Sequence, residues 1–389
     1  MMKTRKKEIV LAKPWTDEEE FKVLEEVVCS GWLSQGKKVS QFEQSLCSYL
    51  GAKHAVATTS GTTALHLSLV IAGIKDKDEV ICPSFSFIAS ANVIEYVGAR
   101  PVFVDIDDQT FNLDAEKIES KITSRTKGIV AVHQIGLACD MDKINRIARK
   151  YNLAVIEDAA CALGATYKGY KIGQRSRYCC FSFHPRKIIT TGEGGMIATD
   201  SKAVREKATS LRSHGASISA VEKHRSKGVL LESFSELGFN YRMTDLQAAV
   251  GLVQMKKLKQ AIKSRQKLAK EYNRLLSDID EVIIPFVPKN REHTFQSYLL
   301  RLKAKAGINA DALVRFMAEN NISCRRSIQP IHLEPYYLNK YGRVKLPVTE
   351  KMAASGIFLP IFPTLSLKEQ EYIVDTLKKG ISSVRKKSR

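Results

Sequence analysis

The sequence predicts an α/β protein built on a mostly parallel sheet. Three observations carry that expectation. Short apolar runs alternate with amphipathic helical segments from about residue 55 to residue 200. Several runs are apolar nearly throughout, among them 153–156, which has no polar residue, and 179–183, broken only by Ser182, as strands buried on both faces are. From about residue 256 the alternation stops, which predicts a second, smaller α+β domain. A chain of 389 residues with 44% hydrophobic content is long enough for both. The division is expected at 1–255 and 256–389.

In chain order, residues 16–29 read as a helix capped by Thr16, with acidic residues in its first turn. A turn and a second amphipathic helix follow, ending at Gly51. Residues 55–58 read as a strand, Ser60 and Gly61 as a tight turn, and 62–71 as a helix. The free N–H groups and the hydroxyls of Thr62 and Thr63 at that helix start suit a phosphate, or serve a plain cap. Residues 78–82 form the next expected strand. Phe85 and Phe87 then sit in a polar turn, where an aromatic either lies flat on a heteroaromatic ring or fills core. Strands are expected at 102–104 and 128–132, with helices at 113–122 and 141–151.

Asp158 lies just past the strand at 153–156. Charged groups at the carboxyl ends of strands in such a chain face the ligand crevice. A carboxylate there could keep a pyridine nitrogen protonated, or cap a helix. The strand at 179–183 leads to Lys187 and the turn-rich run TTGEGG. A lysine beside a strand end can lose its proton and act as an amine nucleophile, or it can be an ordinary surface residue. After residue 202 come a helix, a poorly patterned stretch at 213–226 and a long helix from about 244, capped by Thr244 and Asp245. A basic helix, a strand at 297–302 and helices at 309–320 and 367–379 complete the chain.

Composition narrows the function classes. There is no apolar run of membrane-spanning length, and the first residues do not read as a secretion signal. The eight cysteines are scattered without a CxxC. Reduced thiols in a cytoplasmic protein are expected, with no disulfide framework and no metal site. The formal charge of +20 gathers at 3–7, 256–270 and 378–389. No aromatic residues interleave with these clusters, and no helix-turn-helix or zinc pattern accompanies them. Solvated helix faces are therefore preferred to a nucleic-acid surface, and no membrane partner is expected.

SGTTALHLSL, VICPSFSF, GARPVFVDID, IEDAACALGA, SFHPRKIITTGEGG and GFNYRMTDLQAAVG stand in series along the chain. In order and spacing they resemble the sugar aminotransferases of the DegT/DnrJ/EryC1/StrS group. The resemblance covers nearly the whole chain. It implies the fold of type I pyridoxal-phosphate (PLP)-dependent transferases, with a seven-stranded type of sheet in the large domain. It also implies roles. Lys187 would form the Schiff base with pyridoxal 5′-phosphate and shuttle the proton, and Asp158 would pair with the ring nitrogen. Thr62, Thr63 and Ser182 would hold the phosphate, and Phe87 would stack on the ring. Asn240, or alternatively Arg242, would reach the phosphate of a neighbouring subunit, implying a homodimer with shared sites. Cys161 stands where the family usually has Gln or His beside the ring hydroxyl, and a thiol is the weaker partner there. Arg325 and His332 are candidate substrate contacts.

The implied reaction is a ping-pong transfer of an amino group, with glutamate as the expected donor and a pyridoxamine 5′-phosphate form between the halves. The acceptor would be a nucleotide-linked keto sugar, a 4-keto-6-deoxy sugar being expected. Relatives with histidine at the Lys187 position resemble sugar dehydratases, so a dehydratase on this scaffold is the enzyme alternative. A non-catalytic nucleic-acid- or partner-binding homologue is the other.

Overall fold

Alternation of side chains along five-residue strands decides how the central sheet is buried. The computed structural model describes residues 8–217 and 233–387. Its seven-stranded sheet comprises β1 (His54–Thr58), β2 (Glu79–Pro83), β3 (Arg100–Val104), β4 (Thr126–Val132), β5 (Ala154–Asp158), β8 (Cys179–Ser182) and β9 (Gly195–Thr199). They lie in the order β1-β9-β8-β5-β4-β2-β3. Strands β3, β2, β4, β5 and β8 are parallel, while β9 runs antiparallel between β8 and β1. Ala57, Ile81, Ile129, Ala131, Phe181 and Met196 face one apolar core. Their neighbours Val56, Val80, Cys82, Val130, Ile156, Cys180 and Ile197 face another. A period of two with both faces apolar is what a sheet covered by helices on both sides requires.

Helices α1 (Glu18–Cys29), α2 (Lys37–Leu50), α3 (Gly61–Ile71), α4 (Ala89–Tyr96), α5 (Met141–Tyr151) and α6 (Lys202–Leu211) belong to this part of the chain. Helix α1 is capped by Asp17 rather than Thr16, because the Asp17 carboxylate and Glu20 form a reciprocal capping box. The helix expected at 113–122 is two separate 3₁₀ turns, Ala115–Lys117 and Glu119–Lys121. From 115 to 122 only Ala115 and Ile118 are buried, too few apolar positions to hold a longer helix against the sheet. The short hairpin β6 (Thr166–Tyr167) and β7 (Tyr170–Lys171), and strand β9, had no sequence expectation.

A single helix, Asp245–Leu276, runs unbroken through residue 255, where a division was expected. The core beneath it changes further on. Leu258 and Ile262 pack on the seven-stranded sheet, whereas Leu268, Tyr272 and Leu276 pack on a second core. That core covers the antiparallel sheet β10-β12-β14-β13: Val282–Ile283, Tyr298–Leu302, Gly356–Leu359 and Arg325–Arg326. A third small sheet pairs β11 (Arg291–Glu292) with β6. Ile9 also belongs to the second core and bridges Ile322, so the segment around Ile9 lies on the later unit. No helix among the described residues is long and apolar enough to cross a membrane. The basic stretch 3–7 and residues 218–226 lie outside the described residues.

Candidate active site

The parallel strands bring several chemically active side chains to their carboxyl ends. Helix α3 starts where β1 ends. Ser60 is its N-cap, and Thr63 completes a capping box with it. The Thr63 hydroxyl accepts from the Ser60 amide (3.0 Å) and donates to the Ser60 carbonyl (2.8 Å). It is thus consumed by the turn. The Thr62 hydroxyl and the Gly61 and Thr62 amides have no partner among the described residues. These groups sit at the positive end of the helix dipole, a ready seat for an anion. Strand β8 delivers Ser182 to the same place: a Cβ on Gly61 would lie 2.8 Å from that of Ser182. Below, a Cβ on Gly195 would meet the Ser60 carbonyl oxygen at 2.1 Å. Two glycines therefore let the α3 turn rest directly on β8 and β9.

Asp158 ends β5 and is 5% exposed. Its Oδ2 accepts from Ser90 Oγ (2.8 Å) and its Oδ1 from the Ala160 amide (3.1 Å). Ser90 is held in turn by Ser86 (2.8 Å). No cation pairs with this carboxylate among the described residues. Three residues beyond it, Cys161 Sγ accepts from Lys187 Nζ at 3.3 Å. Lys187 is half-buried and likewise has no carboxylate partner among the described residues. The loop that carries it is pinned on the far side. Ile188 and Ile189 are buried, Thr190 Oγ1 donates to the Phe183 carbonyl (2.9 Å), and the Thr190 amide reaches Gln254 (3.3 Å).

The other expected residues are spread around this group. Phe87, just before α4, is 74% exposed, while Phe85 is fully buried. Asn240 is exposed on a segment whose neighbours Phe239 and Tyr241 stack at 5.0 Å. The Tyr241 carbonyl accepts from the Thr59 amide, which places the segment beside the α3 turn. Arg242 is half-buried with no ion-pair partner among the described residues. Arg325, on β13, is exposed. Burial, and after it the charge of Arg325, lower the Arg186 guanidinium below its usual pKa. His332 is buried, with Nδ1 on Ser84 Oγ (2.6 Å) and Nε2 on Glu350 (3.3 Å). Both ring nitrogens are engaged within the chain, and burial lowers its pKa despite Glu350.

Sequence reasoning missed Ser90, and read Gly61 and Gly195 only as turn residues. Ser90 is 68 residues from Asp158, and nothing local announces that contact. The glycines carried a usable signal, since each abuts a strand end, but which backbone they approach is a tertiary fact.

The residues fit pyridoxal 5′-phosphate. The α3 cradle with Thr62 and Ser182 suits a phosphate, Asp158 offers an anionic acceptor to a ring N–H, and Lys187 supplies an amine not committed to a carboxylate. A model of the DegT/DnrJ/EryC1/StrS aminotransferase family matches residues 14–378. GDP-perosamine synthase of Caulobacter vibrioides is 39% identical over 371 residues, covering 95% of this chain and 97% of that protein. The structure of Helicobacter pylori PseC, an aminotransferase involved in the biosynthesis of pseudoaminic acid, superposes with a TM-score of 0.90 at 29% identity, covering 97% of this chain and 100% of that one. Streptococcus pneumoniae Spr1654, solved in PLP and PMP forms, superposes in its PLP form with a TM-score of 0.89 at 27% identity, covering 97% of this chain and 99% of that one.

Proposed function

The chain belongs to the DegT/DnrJ/EryC1/StrS aminotransferase family and is a sugar aminotransferase, and from that premise we propose that it moves an amino group from an amino acid, L-glutamate, to a nucleotide-linked 4-keto-6-deoxy sugar. One observation carries the reading. Lys187, an amine at the sheet's carboxyl edge with no carboxylate partner among the described residues, rests on Cys161, three residues beyond the buried carboxylate of Asp158.

Pyridoxal 5′-phosphate, when bound, supplies a carbonyl that captures amines and a ring that takes up the electron pair left by a departing proton. The chain's residues do the rest. The Gly61 and Thr62 amides, with the Thr62 and Ser182 hydroxyls, would bind the phosphate, and Thr63 would keep that turn in shape. Asp158, its two oxygens already ordered by Ser90 and Ala160, would hold a proton on the ring nitrogen. Phe87 would cover the ring, and Cys161 would lie near its hydroxyl. Lys187 Nζ would accept a proton from one carbon and return it to another, a role suited to a flexible amine. Arg325 would meet the substrate diphosphate, because a guanidinium binds phosphates well. His332 would act indirectly, by tying Ser84 and the loop before α4. A second copy of the chain would complete the site, with Asn240 reaching the phosphate of its neighbour.

The test is direct. Protein mixed with pyridoxal 5′-phosphate should develop a visible absorbance band that bleaches with L-glutamate. Adding UDP-, dTDP- and GDP-linked 4-keto sugars should then give an aminated product detectable by mass. Lys187→Ala should show neither the band nor the product. Full amino transfer by Lys187→Ala would overturn the assignment.

A further inference from the structure

The peptide group that precedes Lys187 is held by a side chain 110 residues away. Gln296 Nε2 donates to the Arg186 carbonyl at 2.7 Å. That carbonyl and the Lys187 amide share one rigid plane, so fixing the oxygen fixes how the Lys187 backbone enters its turn. The far side of Lys187 is already secured by Ile188, Ile189 and Thr190. On the near side, Arg186 is itself exposed. Its neighbouring ties are the Lys187 amide to the His184 carbonyl (2.8 Å) and its own amide to the His184 ring (3.2 Å), both within the same turn. Gln296 is the tie that comes from outside.

Gln296 is itself tightly placed. It is 7% exposed, and its Oε1 accepts from Ser297 Oγ (3.0 Å). Its backbone carbonyl accepts from Arg265 Nη1 (3.0 Å), which also reaches the carbonyls of Ile361 (2.9 Å) and Phe295 (3.4 Å). Arg265 is 1% exposed and faces no carboxylate among the described residues; burial lowers its pKa to about 10. A buried guanidinium served only by carbonyls is a costly device. Here it clamps the segment before β12 to Ile361, two residues past the end of β14. The same segment braces the other wall of the site. The Thr294 amide donates to the Gly136 carbonyl (3.0 Å), and Gly136 packs so closely that a Cβ there would lie 2.3 Å from Thr294 Oγ1 and 3.3 Å from the Cys161 carbonyl. One short segment therefore stands behind both the backbone of Lys187 and the backbone of its thiol partner.

We propose that Gln296, set by Arg265, is a positioning residue for Lys187, acting through the Arg186 carbonyl to aim the amine at the cofactor carbonyl. The proposal deepens the aminotransferase reading and rests on it. It needs a donor at this position, not merely bulk.

The experiment compares the full-length protein with Gln296→Leu and Gln296→Glu. Pyridoxal 5′-phosphate is added to cofactor-free protein, and two quantities are read. One is the rate at which the visible band grows. The other is the fraction of Lys187 joined to the cofactor after borohydride reduction, by peptide mass. Gln296→Leu should slow attachment and lower kcat by roughly 10- to 100-fold, the scale of a small misplacement of a reacting group, with KM for glutamate changed less than about two-fold. Gln296→Glu keeps the size of the side chain. Ionised, it cannot donate to a carbonyl; protonated, it can. Its attachment rate relative to wild type should therefore recover as pH falls through the introduced carboxyl's range. A role in packing alone would leave that ratio independent of pH. If Gln296→Leu does not fold, the pH course of Gln296→Glu decides alone. Wild-type rates in both variants, or a flat pH ratio, overturn the proposal. Failure of the wild-type protein to attach the cofactor at Lys187 would instead overturn the aminotransferase reading.

Discussion

Replacing Gly195 by alanine should damage the anion seat without touching any group that binds the anion. Gly195 opens β9 and pairs with Thr58 on one side and Ser182 on the other. An added Cβ would stand 2.1 Å from the Ser60 oxygen, 2.3 Å from the Ser60 carbonyl carbon and 2.6 Å from the Gly61 nitrogen. All three are backbone atoms, so no rotamer change relieves the overlap. Either the Ser60–Gly61 peptide withdraws by about 1 Å or β9 shifts. Overpacking of this kind costs about 1–3 kcal/mol of stability. A displacement of about 1 Å in a binding constellation costs on the order of 100-fold, or about 2.7 kcal/mol of affinity. Titration of cofactor-free Gly195→Ala with pyridoxal 5′-phosphate, followed by absorbance, reads the second effect; thermal unfolding reads the first. Gly192→Ala is the control. Its φ of +80° makes alanine strained, but nothing lies within 4 Å of the new Cβ. It should lose about 1–2 kcal/mol of stability and keep the affinity. A folded Gly195→Ala protein that binds the cofactor as tightly as wild type would refute the cradle.

Asp158→Asn should keep the shape of its loop, since an amide oxygen still accepts from Ala160, but a neutral group cannot oppose a positive ring nitrogen. A fall in kcat of roughly 10²–10³-fold is expected, with a much smaller fall from Ser90→Ala; single-turnover reaction with glutamate checks both, and equal activity of Asp158→Asn and wild type would contradict the role. His293 gives a pH prediction. It is buried, its Nδ1 accepts from the Phe295 amide (2.9 Å), its ring stacks on Phe295 at 4.0 Å, and burial drives its pKa down to about 3. Below about pH 6.5 the unfolded chain binds a proton that the folded chain refuses, so this group's stability is intact at neutral pH and erodes as pH falls from about 6.5 toward 3. The loss is about 2 kcal/mol by pH 5. Thermal unfolding at pH 7 and pH 5 should show a smaller difference in His293→Asn than in wild type, and an equal difference would count against it.

The sheet was legible because its strands are short apolar runs at β/α spacing. Val130, Ile156 and Cys180 needed only to be apolar to signal burial on both faces. Asp158 and Lys187 were legible for the same reason: each follows such a run, and the carboxyl ends of parallel strands share one edge. The order of the strands was not. β9 runs antiparallel between β1 and β8, and Gly195-Met196-Ile197 reads locally as the end of a loop. Adjacent Thr62 and Thr63 look alike in the sequence. Only the capping geometry separates them, leaving Thr62 free and closing Thr63 onto Ser60. The change of core along the long helix was equally hidden, because Leu258 and Leu268 continue one helical stripe while meeting different sheets.

The same contrast explains how the site is stabilised. Each reactive group stands on a short-range feature, a strand end or a helix start, and is aimed by a long-range one. Asp158 comes from β5, but Ser90 orders its oxygen. The α3 turn is local, but Gly195 sets its height above the sheet. Lys187 follows β8, but its backbone is held by Gln296 and its amine by Cys161. Local features suffice to say which residues could act. The aiming contacts decide whether they do, since an amine displaced by an ångström loses most of the advantage of proximity. Variants at Ser90, Gly195 and Gln296 should therefore impair turnover more than they impair folding.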